Sequence, residues 1–235
     1  MSDNLPVPKD PATVAIEKGI DKAFETATHY LDKLVAGPLE EGGGIVKDTI
    51  AYWRFKRQIG LVLKAKEFLE SKGIDPQRVL PKIVIPILEA GSLEVDDEMS
   101  DRWAALLANA AAAPETISPA FPRILAELSP LDARILQYAY EHVVKTGRHP
   151  THIHWKDAIQ AAGVVFPPNY PKAETGVLVS DDPVLGSTIH NLIRLELVTG
   201  SLTEYYALNH EIINKEIFNL TPFGFIFVRA CNPPN

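Results

Sequence analysis

Five times a Asp, Ser or Thr stands directly before a proline where an apolar repeat begins: Asp10-Pro11, Asp75-Pro76, Ser129-Pro130, Asp182-Pro183 and Thr221-Pro222. The first residue of such a pair is a good N-cap, because its side-chain oxygen accepts from the free N–H groups of the first helical turn. Proline next to it has its φ already set for a helix, and the N–H it lacks would have gone unpaired there. The pairs therefore cut the chain into separate, capped helices.

Residues 1–10 form an expected flexible arm with two prolines, and 11–114 an N-terminal helical domain. Ile16, Ile20, Phe24, Ala27, Leu31 and Leu34 repeat at spacings of four and three, one narrow stripe on a helix closed by Gly37-Pro38. Such a stripe over helix 11–36 suits a homo-oligomer contact. After Gly42-Gly43-Gly44 a second helix is expected from Ile45 to Ser71, closed by Gly73. It is apolar on more than one side, as in a helix packed between two partners. A third helical stretch is expected to start at Asp75-Pro76, with Pro86 kinking or dividing it. Glu94, Asp96, Asp97, Glu98 and Asp101 crowd the next helix start, where the dipole favours them. That helix carries Trp103, Leu106 and Leu107, then frays into alanines before Pro114. Residues 115–128 read as a linker and a short helix.

The span 129–235 reads as a second unit. Its helices begin at Pro130, near Trp155 and at Pro183, with a long Pro-rich surface loop between the last two. The period then changes: LELVTGS, TEYYALN and KEIFNLT look like short strands, before a last helix from Pro222. The fold class is thus mainly α: an N-terminal multi-helix region followed by a C-terminal winged helix-turn-helix-like α/β module.

The 30 acidic and 23 basic residues give a charge of −7, a poor balance for non-specific nucleic-acid binding. The lone Cys231 leaves no internal disulfide and no thiolate metal cluster. No secretory signal and no spanning apolar run are read, so a cytoplasmic chain is expected, with peripheral membrane contact as an alternative.

The one locally basic element is the helix 45–71. From Ile45 to Lys72 it holds seven Lys and Arg against three acidic residues. Arg54, Lys56, Arg57 and Lys64, with Tyr52, Trp53 and Phe55 interleaved, form the candidate interaction surface. Cations among aromatics suit an anionic membrane face or single-stranded nucleic acid; the simpler reading is a core helix whose basic side pairs with the Glu94–Asp101 acids.

In the second unit, Asn191 and Arg194 are what a recognition helix over 183–198 would display to bases. Eight basic against ten acidic residues from Ser129 onward make DNA binding unexpected. His149, His152 and His154, with Asp157, are zinc-type ligands, but Pro150 breaks any helical presentation and an exposed loop is the preferred reading. The Arg148-to-His154 spacing is similar to the loose signature of helical ribonucleases of the HEPN class, again in an expected loop. No phosphate loop, dinucleotide fingerprint or nucleophile with a base is found, so no catalytic residue, cofactor or metal is expected.

Five segments then combine: Trp53–Lys56, Gly73–Pro76, Ile83–Glu94, Trp103–Ala110 and Ile124–Leu136. Together they resemble the Abi-alpha family of abortive-infection proteins, most closely over about 38–145. The resemblance implies a bacterial or prophage-borne phage-defence protein and brings no catalytic residues. The leading expectation is a non-enzymatic protein that acts through contacts with a host or phage protein. The alternatives are a membrane-associated toxic effector using helix 45–71, a winged-helix transcription regulator and, last, a ribonuclease.

Overall fold

The computed structural model describes residues 22–23, 25–27, 29–30, 33–34, 49–147, 152–165, 183–200, 204–208, 211–215 and 217–234. The arm 1–10, the stripe residues Ile16, Ile20, Phe24 and Leu31, glycines 42–44 and the loop leading to Asp182 lie outside them. The described residues are mainly helical, with a small three-stranded sheet and a separate two-stranded one in the C-terminal part.

Helix α1 is Thr49–Ser71, and Gly73 at φ 64° takes the left-handed position just beyond it. Ile59, Leu61, Val62, Ala65 and Leu69 are buried, while Phe55, Leu63 and Phe68 pack partly against the same core. The helix lies against both α2 (Pro81–Gly91) and α3 (Asp97–Ala112), as its two apolar sides require.

Helix α2 starts at Pro81, not at Pro76. The intervening stretch is held extended, with Gln77 N–H donating to Ala111 O and Val79 N–H to Leu34 O, each at 2.7 Å. These longer-range bonds outweigh the local cap signal, and Leu80, standing before a proline, is disfavoured in helical backbone. Pro86 does not divide α2. The carbonyl that loses its partner belongs to Lys82, on the exposed face where water can serve it.

Helix α3 is capped by Asp96, whose carboxylate accepts from Met99 N–H at 3.0 Å. Its alanines do not fray: Ala104, Ala105, Ala108, Ala110 and Ala111 are fully buried beside Trp103, Leu106 and Leu107. Small side chains let α1 and α2 approach closely, and Trp103 alone removes about 150–250 Å² from water. At α3's far end the Asn109 amide donates to the carbonyls of Ala230 (3.0 Å) and Asn232 (2.7 Å), fastening the chain's last helix to this one.

Segment 115–128 begins within a 3-10 turn, Pro114–Thr116, and contains α4, Phe121–Ala126. Ile117, Phe121, Ile124, Leu125 and Leu128 are all buried. One hydrophobic cluster runs from Ala27 through these residues to Cys231.

Helix α5, Pro130–Thr146, opens on a full capping box: Ser129 Oγ accepts from Asp132 N–H, and the Asp132 carboxylate accepts from Ser129 N–H. After it comes an unforeseen strand, β1 (Ile153–His154), where the exposed histidine loop was expected, and then α6 (Trp155–Ala161). The buried Trp155 ring stacks on Phe218 at 4.1 Å, so the segment is drawn onto the sheet by core packing. Helix α7 runs only from Pro183 to Arg194, short of the expected Val198, because Glu196 turns left-handed at φ 57°. The strands are β2 (Val198–Thr199), β3 (Glu204–Leu208), β4 (Glu211–Lys215) and β5 (Ile217–Leu220). The three expected strand segments LELVTGS, TEYYALN and KEIFNLT hold β2, β3 and β5, while β4, between β3 and β5, was not expected. β3 and β4 form their own hairpin, while β5 lies between β1 and β2, antiparallel to both, with Ile153 opposite Phe218 and Val198 opposite Leu220. Helix α8, Pro222–Ala230, is capped by Thr221.

Candidate interaction surface

The seven residues of the basic aromatic set separate by direction. Phe55 faces the core, and Trp53 and Lys56 face outward. Tyr52 lies in α1, but its side chain is outside the described residues. The cations are largely engaged within the fold. Arg54 Nε donates to Ser92 Oγ at 3.4 Å, Arg57 donates to Glu94 O at 2.9 Å, and Lys64 pairs with Asp101. The pairing of this helix with the Glu94–Asp101 stretch is therefore present, through a backbone carbonyl as well as a carboxylate.

These contacts bring the loop between α2 and α3 alongside the start of α1. Glu94 shapes that loop by accepting from the N–H groups of Val95 (2.8 Å) and Asp96 (2.9 Å) with one carboxylate oxygen. Leu93 and Val95 are left outward, 58% and 68% exposed. Arg57 also lies over the Trp53 ring at 5.1 Å, a cation–π contact that steadies an indole 40% exposed. The result is a surface of Trp53, Arg57, Leu93 and Val95 built from two elements. Sequence reasoning had its α1 members and missed Leu93 and Val95, whose exposure depends on where the loop is tied down.

The proposed recognition residues are also engaged. Asn191 Nδ2 donates to Glu127 O at 3.0 Å and to Asp132 Oδ2 at 3.3 Å. Arg194 pairs with the Glu127 carboxylate at 2.6 Å and donates to Asn191 Oδ1 at 2.7 Å. They line an open cleft of about 420 Å³ with Ser129, Ser187, Thr188 and His190. These bonds tie the guanidinium and the amide to Glu127, just past α4, and to Asp132 in α5.

Arg148 and His149 lie outside the described residues, while His152 and His154 are exposed. Among the described residues no group of His, Cys, Asp and Glu is arranged to hold a metal ion. Cys231 is buried at the end of α8; burial pushes its thiol up to about 12, an effect partly offset by Arg102. Among the described residues no helix is long and apolar enough to cross a membrane.

No curated protein and no solved structure matches this chain. The model of one family, Abortive infection alpha (Abi_alpha), matches residues 56–231, from the first turns of α1 to the end of α8. The chain therefore belongs to the Abortive infection alpha family.

Proposed function

We propose that this protein takes part in abortive phage infection as a non-catalytic component that works by binding another protein through the Trp53 surface. Membership of the family suggests the process. The observation that supports the mode is the exposed Trp53, braced by Arg57, whose guanidinium also reaches Glu94 O between the exposed Leu93 and Val95. Tryptophan and arginine are the side chains most enriched in binding hot spots, and aliphatic neighbours supply the rim that excludes water. An indole already held in place loses less freedom on binding.

In this reading the C-terminal half is a winged-helix-type module used for docking. The order α5, β1, α6, α7, β2, hairpin, β5, with β5 between β1 and β2, supports the winged-helix reading. The engagement of Asn191 and Arg194 by Glu127 and Asp132 weighs against its use on DNA. The engagement of Arg54, Arg57 and Lys64 likewise weighs against α1 as a membrane-binding effector helix.

Site-specific photo-crosslinking in infected bacteria tests the mode. A photoreactive residue at Val95 is expected to give one discrete protein adduct, and one at the exposed Arg123 none. Adducts that are absent at both positions, or identical from both, would contradict it.

A further inference from the structure

Four exposed cations gather at the opposite end of α1. Lys33, Lys72, Arg78 and Lys82 are all exposed, and none forms an ion pair with another described residue. Two bonds hold them together. Val79 N–H donates to Leu34 O at 2.7 Å, which sets Arg78 beside Lys33, and both line an open groove of about 530 Å³ with Asp75 and Pro76. Ile74 N–H donates to Leu69 O at 3.0 Å, which folds the chain back after Lys72.

Apolar side chains stand among these cations. In the extended stretch before α2, Val79 is buried while its neighbours Arg78 and Leu80 are exposed, as alternation along extended backbone requires. In α2, Lys82 and Ile85 are three residues apart on one exposed face. Leu80 is 52% exposed and Ile85 50%. Nearby acids are Asp75, Glu115, Glu89, which is exposed one turn beyond Ile85 on α2, and Glu70, paired with Lys66 at 3.0 Å.

We propose that this α1–α2 junction is a peripheral contact for an anionic lipid surface, with Leu80 and Ile85 entering the headgroup layer and Lys33, Lys72, Arg78 and Lys82 meeting lipid phosphates and carboxylates. Aliphatic side chains among cations suit an acyl boundary. Single-stranded nucleic acid would call for exposed aromatic rings to stack on its bases, and the junction presents none among the described residues.

The test is co-sedimentation of the full chain with vesicles of phosphatidylcholine alone or with 30% phosphatidylserine added (roughly a strongly anionic leaflet). Binding is expected only to the anionic vesicles. Each cation is worth about fivefold in partitioning, so Arg78→Glu with Lys82→Glu should weaken binding more than ~10-fold. Leu80→Ser with Ile85→Ser should weaken it too, while Arg123→Glu, at an exposed cation outside the junction, should not. Equal recovery on neutral vesicles, no recovery on either, or an equal loss with Arg123→Glu would overturn the proposal. So would a random oligonucleotide that binds through the same residues while vesicles do not.

Discussion

At the scale of single residues, two buried ionisable groups link stability to alkaline pH. Burial pushes the Cys231 thiol up to about 12 from 9.0, with Arg102 partly offsetting it. Burial, reinforced by the Glu70 carboxylate, pushes the Tyr30 hydroxyl up to about 12 from 10.0. Both groups hold their protons longer folded than unfolded, so the unfolded chain gains from releasing them first. Stability is therefore unaffected by these groups below about pH 9 and falls as pH rises from there toward 12. Urea midpoints at pH 8 and pH 10 (about one unit either side of the ordinary thiol value) should show the loss. Cys231→Ala should remove most of it, because in the unfolded chain the thiol, at 9.0, ionises over most of that interval while the Tyr30 hydroxyl, at 10.0, only begins to. Equal midpoints for the unsubstituted protein at the two pH values would contradict this assignment. Cys231 ends an apolar helix, PFGFIFVRAC, where a small apolar side chain is ordinarily buried. Its neighbour Arg102, more than a hundred residues away, is not legible there.

At the scale of elements, local signals succeeded where nothing longer-range competed with them. Ser129 and Thr221 cap the helices they were expected to cap, since cap and capped N–H lie three residues apart. Asp75-Pro76 misled because Gln77 and Val79 give their N–H groups to distant carbonyls instead of to a helix. β1 has two residues, too few to show any period, and exists because β5 is there to pair with it. Close packing between elements is equally invisible in one dimension, and it separates two glycines. A Cβ on Gly224 would run into the carbonyl of Leu197, where α8 crosses the chain entering β2. Backbone cannot move aside as a side-chain tip can, so Gly224→Ala should cost about 1–3 kcal/mol. Gly60 sits inside α1 with nothing within 4 Å of an added Cβ. Gly60→Ala should instead stabilise by about 0.5–1 kcal/mol, the usual gain for replacing a glycine within a helix. Thermal melts of the two variants should move in opposite directions, and a neutral Gly224→Ala would show that α8 is not seated as described.

At the scale of the molecule, the helical part, three of the strands (β2, β3 and β5) and the family were legible. The helices announce themselves in capped, amphipathic stretches, and the family in five dispersed segments. The interaction surface was legible only by half. Trp53 and Arg57 belong to the basic aromatic set, but nothing in their spacing shows that Arg57 lies over the exposed indole and reaches Glu94 O between the exposed Leu93 and Val95. Because these side chains lie outside the core, removing them should leave the fold intact. Surface changes of this kind usually shift stability within about 0.5 kcal/mol. The decisive measurement is phage plating on bacteria expressing the protein with Trp53→Ala and Val95→Ser, checked for an unchanged melting temperature and equal abundance. Protection against a phage that the unsubstituted protein restricts should be lost in that variant. Full protection with Trp53 and Val95 replaced would contradict the account.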